Sequence, residues 1–174
     1  ARAEAAALGE AGGAAVSAEA GFEDEESELF QAHTNGFAAR KRGTRFGVYA
    51  EVSLSDAGDK RPSDSEYAST RSLAALPSPE AIGRGAALRA RGKLGAAPME
   101  TAVLPIAVEN RAVGRLLGKL LAALGGRALQ QEQSFLAGAL GTAGGSPVLD
   151  VADDPFLHGG AASRLFDGRS EETT

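Results

Sequence analysis

The sequence contains no cysteine and no tryptophan, only two histidines, and no long apolar run. Without cysteine, the chain forms no disulfide and offers no thiolate ligand for a metal, which fits a reducing cytoplasm. No stretch reaches the roughly 18 apolar residues that a membrane-spanning helix needs. No signal-peptide pattern opens the chain. We therefore expect a cytoplasmic protein that does not interact with membranes.

Aromatic residues make up 5% of the 174 residues, whereas hydrophobic residues make up 43%. That hydrophobic fraction suffices for a core built mainly from leucine, valine, isoleucine and phenylalanine. The formal net charge of −5 argues against a nucleic-acid-binding surface as the main function. Because the chain begins at Ala1 without methionine and stops at Thr174 with no closing element, we expect a fragment of a longer protein.

The first half of the chain is patterned for one helix followed by strands. Residues 1–11 have high helix propensity and precede two glycines, a natural helix stop. Strands are predicted from Val16 to Leu54, with a hairpin turn at Asn35-Gly36. Apolar residues occupy every second position of RFGVYAEVSL (45–54), which predicts one buried face. With a polar edge strand at Ser63–Thr70, the pattern predicts an antiparallel meander.

A helix is predicted over residues 79–93, after the start signal Ser78-Pro79-Glu80. The best linker follows at Ala96-Ala97-Pro98. We therefore divide the chain into two domains, residues 1–97 and residues 98–174.

The second domain is predicted to contain strands and helices. Thr101–Val108 and Pro147–Val151 are predicted strands, and Gln131–Leu140 is a predicted short helix. Asn110 is predicted to cap a longer helix. An apolar stripe with helical spacing marks that longer helix: Val113, Leu116, Leu117, Leu120, Leu121 and Leu124.

Residues 110–115 read NRAVGR, three substitutions away from HEAVGH. In that metalloprotease-type signature, two histidines hold zinc and a glutamate activates water. The corresponding positions here are Asn110, Arg111 and Arg115. Asparagine is a poor zinc ligand, and the two arginines are permanently cationic. We therefore predict no catalytic and no metal-ligating residue here. The alternative interpretation is an N-cap followed by a solvated basic helix face.

His33 and His158 are the two histidines, and each stands alone in its predicted domain. Asp153 and Asp154 could add oxygen ligands near His158, but two histidines without cysteine make a weak metal site. We expect turns at Asp153-Asp154-Pro155 and at His158-Gly159-Gly160.

An acidic run, Glu23–Glu28, precedes the predicted hairpin turn, and basic residues Arg40-Lys41-Arg42 and Arg45 follow it. The acidic run could hold cations loosely or face a basic partner, and a solvated strand or loop is the alternative. The basic residues could contact phosphate, but we favour charge balance with the acidic run across the hairpin. The sequence has no glycine-rich phosphate loop and no Gly-x-Ser-x-Gly elbow.

The order of these segments resembles the TldD/PmbA family of zinc metalloproteases, once called modulators of DNA gyrase. The resemblance extends from about Phe22 to Thr174. It rests on HTNGFAARKRGTRFGVYAEV, YASTRSLAALPSPEAIGRGAALRARGKLGA, VLPIAVENRAVGRLLGKLLAALGG, SFLAGALG and DDPFLHGGAASRLFDGRSEETT. The closing GRSEETT departs from the family's usual Gly-Val-x-Thr.

The resemblance implies an α+β fold. Residues 1–97 would form the family's central domain, an antiparallel β meander with flanking helices. Residues 98–174 would form the start of its β-rich α+β C-terminal domain. One branch of the family, TldD, carries a His-Glu-x-x-x-His helix, and the PmbA/TldE branch lacks it. Because the histidines would fall at Asn110 and Arg115 and the glutamate at Arg111, the chain resembles the PmbA/TldE branch.

The resemblance further implies a subunit that is not catalytic on its own and has no cofactor in this chain. Zinc is expected in a TldD-like partner, with which the subunit cleaves peptides as a heterodimer; a homodimer is the other possibility. No nucleic-acid partner and no membrane is expected. Two alternatives stay open. One is a divergent peptidase that uses His33, His158 or residues outside this chain, and the other is a non-enzymatic interaction or regulatory protein.

Overall fold

The fold is given by a computed structural model that describes residues 1–143, 145–164 and 166. The chain divides into two compact units, one formed by Ala1–Pro98 together with Asp154–Thr174 and the other by Met99–Asp153. The domain boundary at residue 98 stays a prediction. In chain order the elements are α1 (Arg2–Ala11), β1 (Ala15–Ala32), β2 (Ala38–Leu54), β3 (Ser63–Thr70), α2 (Pro79–Arg91), α3 (Asn110–Ala123) and α4 (Gly126–Gln130).

The first unit contains an antiparallel sheet in the order β1-β2-β3. β1 and β2 pair from Ala15↔Leu54 to Ala32↔Ala38. β3 pairs only with Phe46–Ser53 of β2. The first two strands therefore continue past β3 as a two-stranded ribbon, which we call the hairpin arm (residues 25–45). The predicted α+β class and the antiparallel meander with flanking helices are confirmed.

The turn of the hairpin arm spans residues 33–37. The His33 amide donates to the Phe37 carbonyl at 2.9 Å, and the Phe37 amide donates to Asn35 Oδ1 at 3.1 Å. Gly36 has φ of 93°, a left-handed conformation that costs glycine little. The hairpin predicted at Asn35-Gly36 is confirmed, although its loop is longer than a two-residue turn.

The core of the first unit lies between the sheet and two helices. Val48, Ala50, Val52 and Leu54 of β2 are buried, as the alternating pattern predicted. Helices α1 and α2 cover this face of the sheet with small and branched side chains, namely Ala3, Ala7, Ala11, Ile82, Ala86, Ala87 and Ala90. Because most of these side chains are alanines, the helix backbones approach each other and the sheet closely.

Helix α2 starts as its sequence predicted. The Ser78 hydroxyl accepts a hydrogen bond from the Ala81 amide at 3.2 Å, and Pro79 occupies the first helical position. The helix ends at Arg91, two residues before the predicted end.

The second unit contains α3 and α4 joined to turns and extended segments. The strands predicted at Thr101–Val108 and Pro147–Val151 are wrong, because both segments are irregular. A strand needs a hydrogen-bonded neighbour, and no strand is present among residues 99–143 and 145–153. The apolar side chains of Val103 and Ile106 are accordingly exposed.

The helix predicted at Gln131–Leu140 is also wrong, and turns occupy most of this segment. Glu132 has φ of 54° and Gly138 has φ of 77°. These left-handed conformations interrupt a right-handed helix. The short helix α4 lies just before this segment instead. Among the residues that the structure describes, no helix combines the length and apolarity needed to cross a bilayer.

Candidate functional site

Helix α3 begins at Asn110, which places the three motif positions in its first two turns. Glu109 occupies the N-cap position, with φ of −63° and ψ of 142°, and makes no capping hydrogen bond with its side chain. The prediction that Asn110 caps the helix is wrong, because the extended backbone of a cap lies one residue earlier. Asn110 is instead the first helical residue and is exposed.

The start of α3 is strongly cationic. Arg111 and Arg115 are four residues apart, so their side chains lie on the same face of the helix. Arg111 Nε donates to a carboxylate oxygen of Glu109 at 3.1 Å. The first turn contains no acidic residue. The Glu109 carboxylate at the N-cap offsets one of these two charges, so the start of α3 keeps a net positive charge at the positive end of the helix dipole.

The hairpin arm carries the other charged cluster that the sequence highlighted. Glu28 forms ion pairs with both Arg40 and Arg42 across the two strands. Arg45 forms a second cross-strand pair with Glu25, at 2.9 Å. The predicted charge balance across the hairpin is confirmed. Arg40, Arg42 and Arg45 are therefore engaged in ion pairs within the fold.

A polar cleft of about 620 Å³ lies beside the hairpin arm, and no sequence pattern had indicated it. Arg71 donates to the Ala161 carbonyl at 2.6 Å, and Lys41 donates to the Ser163 carbonyl at 2.6 Å. Thr44 donates to the Arg71 carbonyl at 2.7 Å. Lys41 of the hairpin arm and Arg71, which follows β3, thus hold the segment 159–163, and Thr44 links Arg71 to the arm. These bonds join residues more than 20 positions apart in sequence, and such partners cannot be read from local spacing.

The histidines occupy turns. His33 lies in the hairpin loop, with its ring edge-on to Phe37 at a centroid distance of 5.9 Å. His158 lies in an exposed turn. Asp154 accepts a hydrogen bond from the Phe156 amide at 2.9 Å, which confirms the predicted turn there. Within residues 1–143, 145–164 and 166, no three His, Cys, Asp or Glu side chains cluster closely enough to hold a metal ion.

Two side chains with shifted pKa values lie in the first unit. The Tyr49 hydroxyl donates to Glu19 Oε1 at 2.8 Å, and this hydrogen bond raises the pKa of the phenol. The backbone amides of Gly95 and Ala57 donate to the Asp56 carboxylate and lower its pKa. Asp56 thereby joins the turn after β2 to the segment that follows α2.

Two family models match this chain. The model of the PmbA/TldA metallopeptidase central domain matches residues 1–94, and the model of the C-terminal domain of the same metallopeptidases matches residues 101–173. The chain belongs to the PmbA/TldA metallopeptidase family. The resemblance drawn from the sequence motifs is confirmed.

Relatives of this PmbA/TldA-family chain support the assignment. The Metalloprotease PmbA homolog of Buchnera aphidicola is 26% identical over 138 residues, which cover 79% of this chain and 31% of that protein. A proposed modulator of DNA gyrase from Bacteroides thetaiotaomicron superposes with a TM-score of 0.89 at 28% identity. A similarly described protein from Thermotoga maritima superposes with a TM-score of 0.86 at 24% identity and shows the fold alone. Each superposition covers 99% of this chain and 40% of the solved chain.

The side chains at the start of α3 do not fit a zinc ion. Zinc in proteins is held by thiolate, imidazole or carboxylate groups. Arginine has only donors and stays protonated, and the Asn110 amide is a weak ligand. The guanidinium of Arg111 is already paired with Glu109. Asn110, Arg111 and Arg115 together therefore do not supply a zinc-binding set.

The sequence interpretation missed Lys119, which continues the cationic face of α3. Arg111, Arg115 and Lys119 follow one another at intervals of four residues. This spacing was visible in the sequence, but the comparison with a metalloprotease motif ended at Arg115. The assignment of no catalytic residue to this chain stays a prediction.

Proposed function

We propose that this chain is part of a PmbA/TldE-like subunit of a TldD/TldE-type metalloprotease, and that this subunit has no zinc site of its own. The observation that carries the proposal is the cationic start of α3 within a segment that matches the family's C-terminal domain. Two guanidinium groups within a few ångströms would repel a divalent cation, since like charges interact unfavourably at such distances. A metal-dependent subunit would be expected to avoid them.

The catalytic zinc is supplied by a TldD-like partner in the same heterodimer, and the complex cleaves peptides in the cytoplasm. The present subunit contributes part of the peptide-binding cleft and stabilises the partner. The family match and the curated relative's description as a metalloprotease homolog support a role in proteolysis. Because the chain spans 31% of that relative, the rest of the cleft belongs to segments outside it.

The test uses the full-length parent protein, a TldD-like subunit from the same source, and an unstructured labelled peptide. We expect no cleavage by the parent protein alone, and more cleavage by the mixture than by the TldD-like subunit alone. A chelator should abolish the cleavage by the mixture. The matched control adds an unrelated protein of similar acidity in place of the parent protein.

Two results would contradict the proposal. Chelator-sensitive cleavage by the parent protein alone would indicate a divergent peptidase with its site elsewhere in the chain. An absence of any effect on the TldD-like subunit, together with no complex between the two proteins in sedimentation, would favour a non-enzymatic interaction protein.

A further inference from the structure

The side of the sheet that faces away from α1 and α2 carries two tyrosines and three glutamates. Tyr49 of β2 and Tyr67 of β3 lie directly opposite each other. Along the strands, Glu51 and Glu19 lie opposite each other on one side of this pair, and Glu23 lies on the other side. All five residues are exposed, because alternate residues of a strand point to opposite faces and the helices cover the other face. We call these five residues the tyrosine face.

Two glycines allow side chains of the tyrosine face to lie across a neighbouring strand. A Cβ atom added to Gly21 would collide with the Tyr49 ring, so this ring extends across β1. A Cβ atom added to Gly47 would lie 2.8 Å from Glu23 Cγ, so the Glu23 side chain extends across β2. The Tyr49 ring therefore leans away from Tyr67, and over residues 1–143, 145–164 and 166 no ring contact joins these two tyrosines. Tyr67 is accordingly 62% exposed and its ring is open to a ligand.

The acidic side chains of the tyrosine face are not neutralised by basic ones. On the other face of the sheet, Asp64 and Glu66 each form an ion pair with a basic residue in or just after α2. In the part of the chain that the structure describes, Glu23 and Glu51 form neither an ion pair nor a hydrogen bond through their side chains, and Glu19 forms no ion pair. The tyrosine face is therefore a negatively charged surface.

This arrangement of charges is unfavourable for the sheet alone. Glu19 and Glu51 are directly opposite, and like charges at such positions destabilise a strand pair. Both carboxylates are close to the Tyr49 phenol, whose pKa is raised by its 2.8 Å hydrogen bond to Glu19 and further by the charge of Glu51. A bound cation would relieve this repulsion. The charge of the face therefore favours a cationic ligand.

We propose that the tyrosine face binds an arginine side chain of a basic peptide segment. A guanidinium group is planar, stacks on aromatic rings and forms paired hydrogen bonds with a carboxylate. Tyr67 offers the exposed ring. Glu51 is a diagonal neighbour of Tyr67, and Glu23 extends across β2 towards the diagonal position on the other side. Diagonal neighbours in a sheet are about 7–8 Å apart, within reach of long side chains. The inference goes beyond the proposed function and does not depend on it.

Other ligands fit the tyrosine face less well. The net charge of −5 disfavours a nucleic acid and an acidic peptide alike, whereas it favours a cation. A divalent metal ion needs several oxygen ligands, and among the described side chains no three His, Cys, Asp or Glu are grouped closely enough. A lysine ammonium is a strongly hydrated point charge that does not stack as a plane. Arginine is the side chain that uses both the ring and the carboxylates.

The test measures binding of short fluorescent peptides to the full-length parent protein by fluorescence anisotropy. Three peptides share the same neutral residues and carry arginine, lysine or glutamine at the same two positions. We expect the arginine peptide to bind about threefold more tightly than the lysine peptide, and the glutamine peptide to bind weakest. The affinity of the arginine peptide should fall as salt is raised. Equal affinities of the arginine and lysine peptides would indicate unspecific attraction and overturn the proposal, and so would no binding.

Glutamate variants locate the binding on one face of the sheet. Glu23→Gln with Glu51→Gln should weaken binding of the arginine peptide by about fivefold, as expected for two exposed charge contacts. The matched control is Asp24→Asn with Glu26→Gln, which removes the same charge from exposed positions of β1 that point to the other face. It should change the affinity by less than about twofold. Equal weakening by both pairs of changes would overturn the proposal.

Tyrosine variants separate the ring from the charge. Tyr67→Leu should weaken binding of the arginine peptide by about threefold and remove its advantage over the lysine peptide. Tyr67→Phe keeps the ring and should retain the affinity within about twofold. Because Tyr67 is exposed on an edge strand, neither change opens a cavity in the core. A loss in Tyr67→Phe as large as in Tyr67→Leu, or no loss in Tyr67→Leu, would contradict recognition by the ring. These assays need neither zinc nor a partner subunit, so their outcome is independent of the cleavage test.

Discussion

Gly83 of α2 lies directly against Ala3 of α1. A Cβ atom added at Gly83 would lie 2.0 Å from the Ala3 carbonyl oxygen, far inside van der Waals contact. The two helices therefore cross at a point where only glycine fits. Since both helices also pack on β2, this crossing sets how closely the helical layer approaches the sheet.

Replacing Gly83 with alanine should destabilise the first unit. The helices would have to separate, and overpacking of this kind costs about 1–3 kcal/mol of unfolding free energy. Gly9→Ala in α1 is the matched control, because nothing lies within 4 Å of its added Cβ. It should leave stability unchanged or raise it by about 0.5–1 kcal/mol. Urea denaturation of the full-length protein measures both, and equal effects would contradict the close crossing.

The ion pair between Arg89 and Glu66 should stabilise the contact between α2 and β3. Arg89 Nε donates to Glu66 Oε2 at 2.5 Å, and the two side chains are 27% and 22% exposed. Arg89→Ala would leave the half-buried carboxylate without this partner, at a cost of about 1–3 kcal/mol. Arg84→Ala, an exposed position on the same helix, should change stability by less than about 0.5 kcal/mol. Thermal denaturation that shows no difference between these variants would refute the contribution of the pair.

Asp56 should contribute to the acid sensitivity of the first unit. Backbone hydrogen bonds from Gly95 and Ala57 lower the pKa of its carboxyl in the folded state. Its contribution to stability is present above the unfolded pKa of about 3.9 and is lost as pH falls through the folded pKa. Melting temperatures measured from neutral to acidic pH should therefore fall less steeply below about pH 4 in Asp56→Asn than in the wild type. Identical curves, or a carboxyl that titrates above 3.9 by NMR, would contradict this assignment.

Arg71 and Lys41 should hold the segment 159–163 on the hairpin arm. Each donates a 2.6 Å hydrogen bond to a carbonyl of that segment. Replacing both with alanine should speed hydrogen exchange of the peptides that cover residues 157–164, measured by mass spectrometry. Arg61→Ala with Arg84→Ala removes the same charge elsewhere and should leave the exchange of those peptides unchanged. Unaltered exchange in the first pair would show that other contacts hold the segment.

The sequence predicted the first unit well, because its signals are local. The alternation of Val48, Ala50 and Val52 marks a buried face, and Asn35-Gly36 marks a hairpin. Ser78 and Pro79 mark a helix start. Each of these patterns involves residues within a few positions of one another. The helix or strand could therefore be predicted without knowing which other element packs against it.

The second unit was predicted less well for a physical reason. Thr101–Val108 is apolar enough for a strand. A strand, however, forms only beside another strand, and the residues of one segment do not show whether such a neighbour exists. The helix predicted at Gln131–Leu140 is interrupted at Glu132, which has a left-handed conformation. Glutamate rarely adopts this conformation, so the residue type did not indicate the interruption. The cationic face of α3 was readable from spacing, since Arg111, Arg115 and Lys119 recur every four residues.

The zinc content of the full-length parent protein is the measurement that bears most on whether this subunit has a zinc site of its own. The protein should be purified without chelators, incubated with excess zinc, dialysed, and analysed by mass spectrometry of its metal content. We expect far less than one zinc ion per chain, because Asn110, Arg111 and Arg115 do not form a metal-binding set. One tightly held zinc ion per chain, retained through dialysis, would contradict the proposal that this subunit has no zinc site of its own.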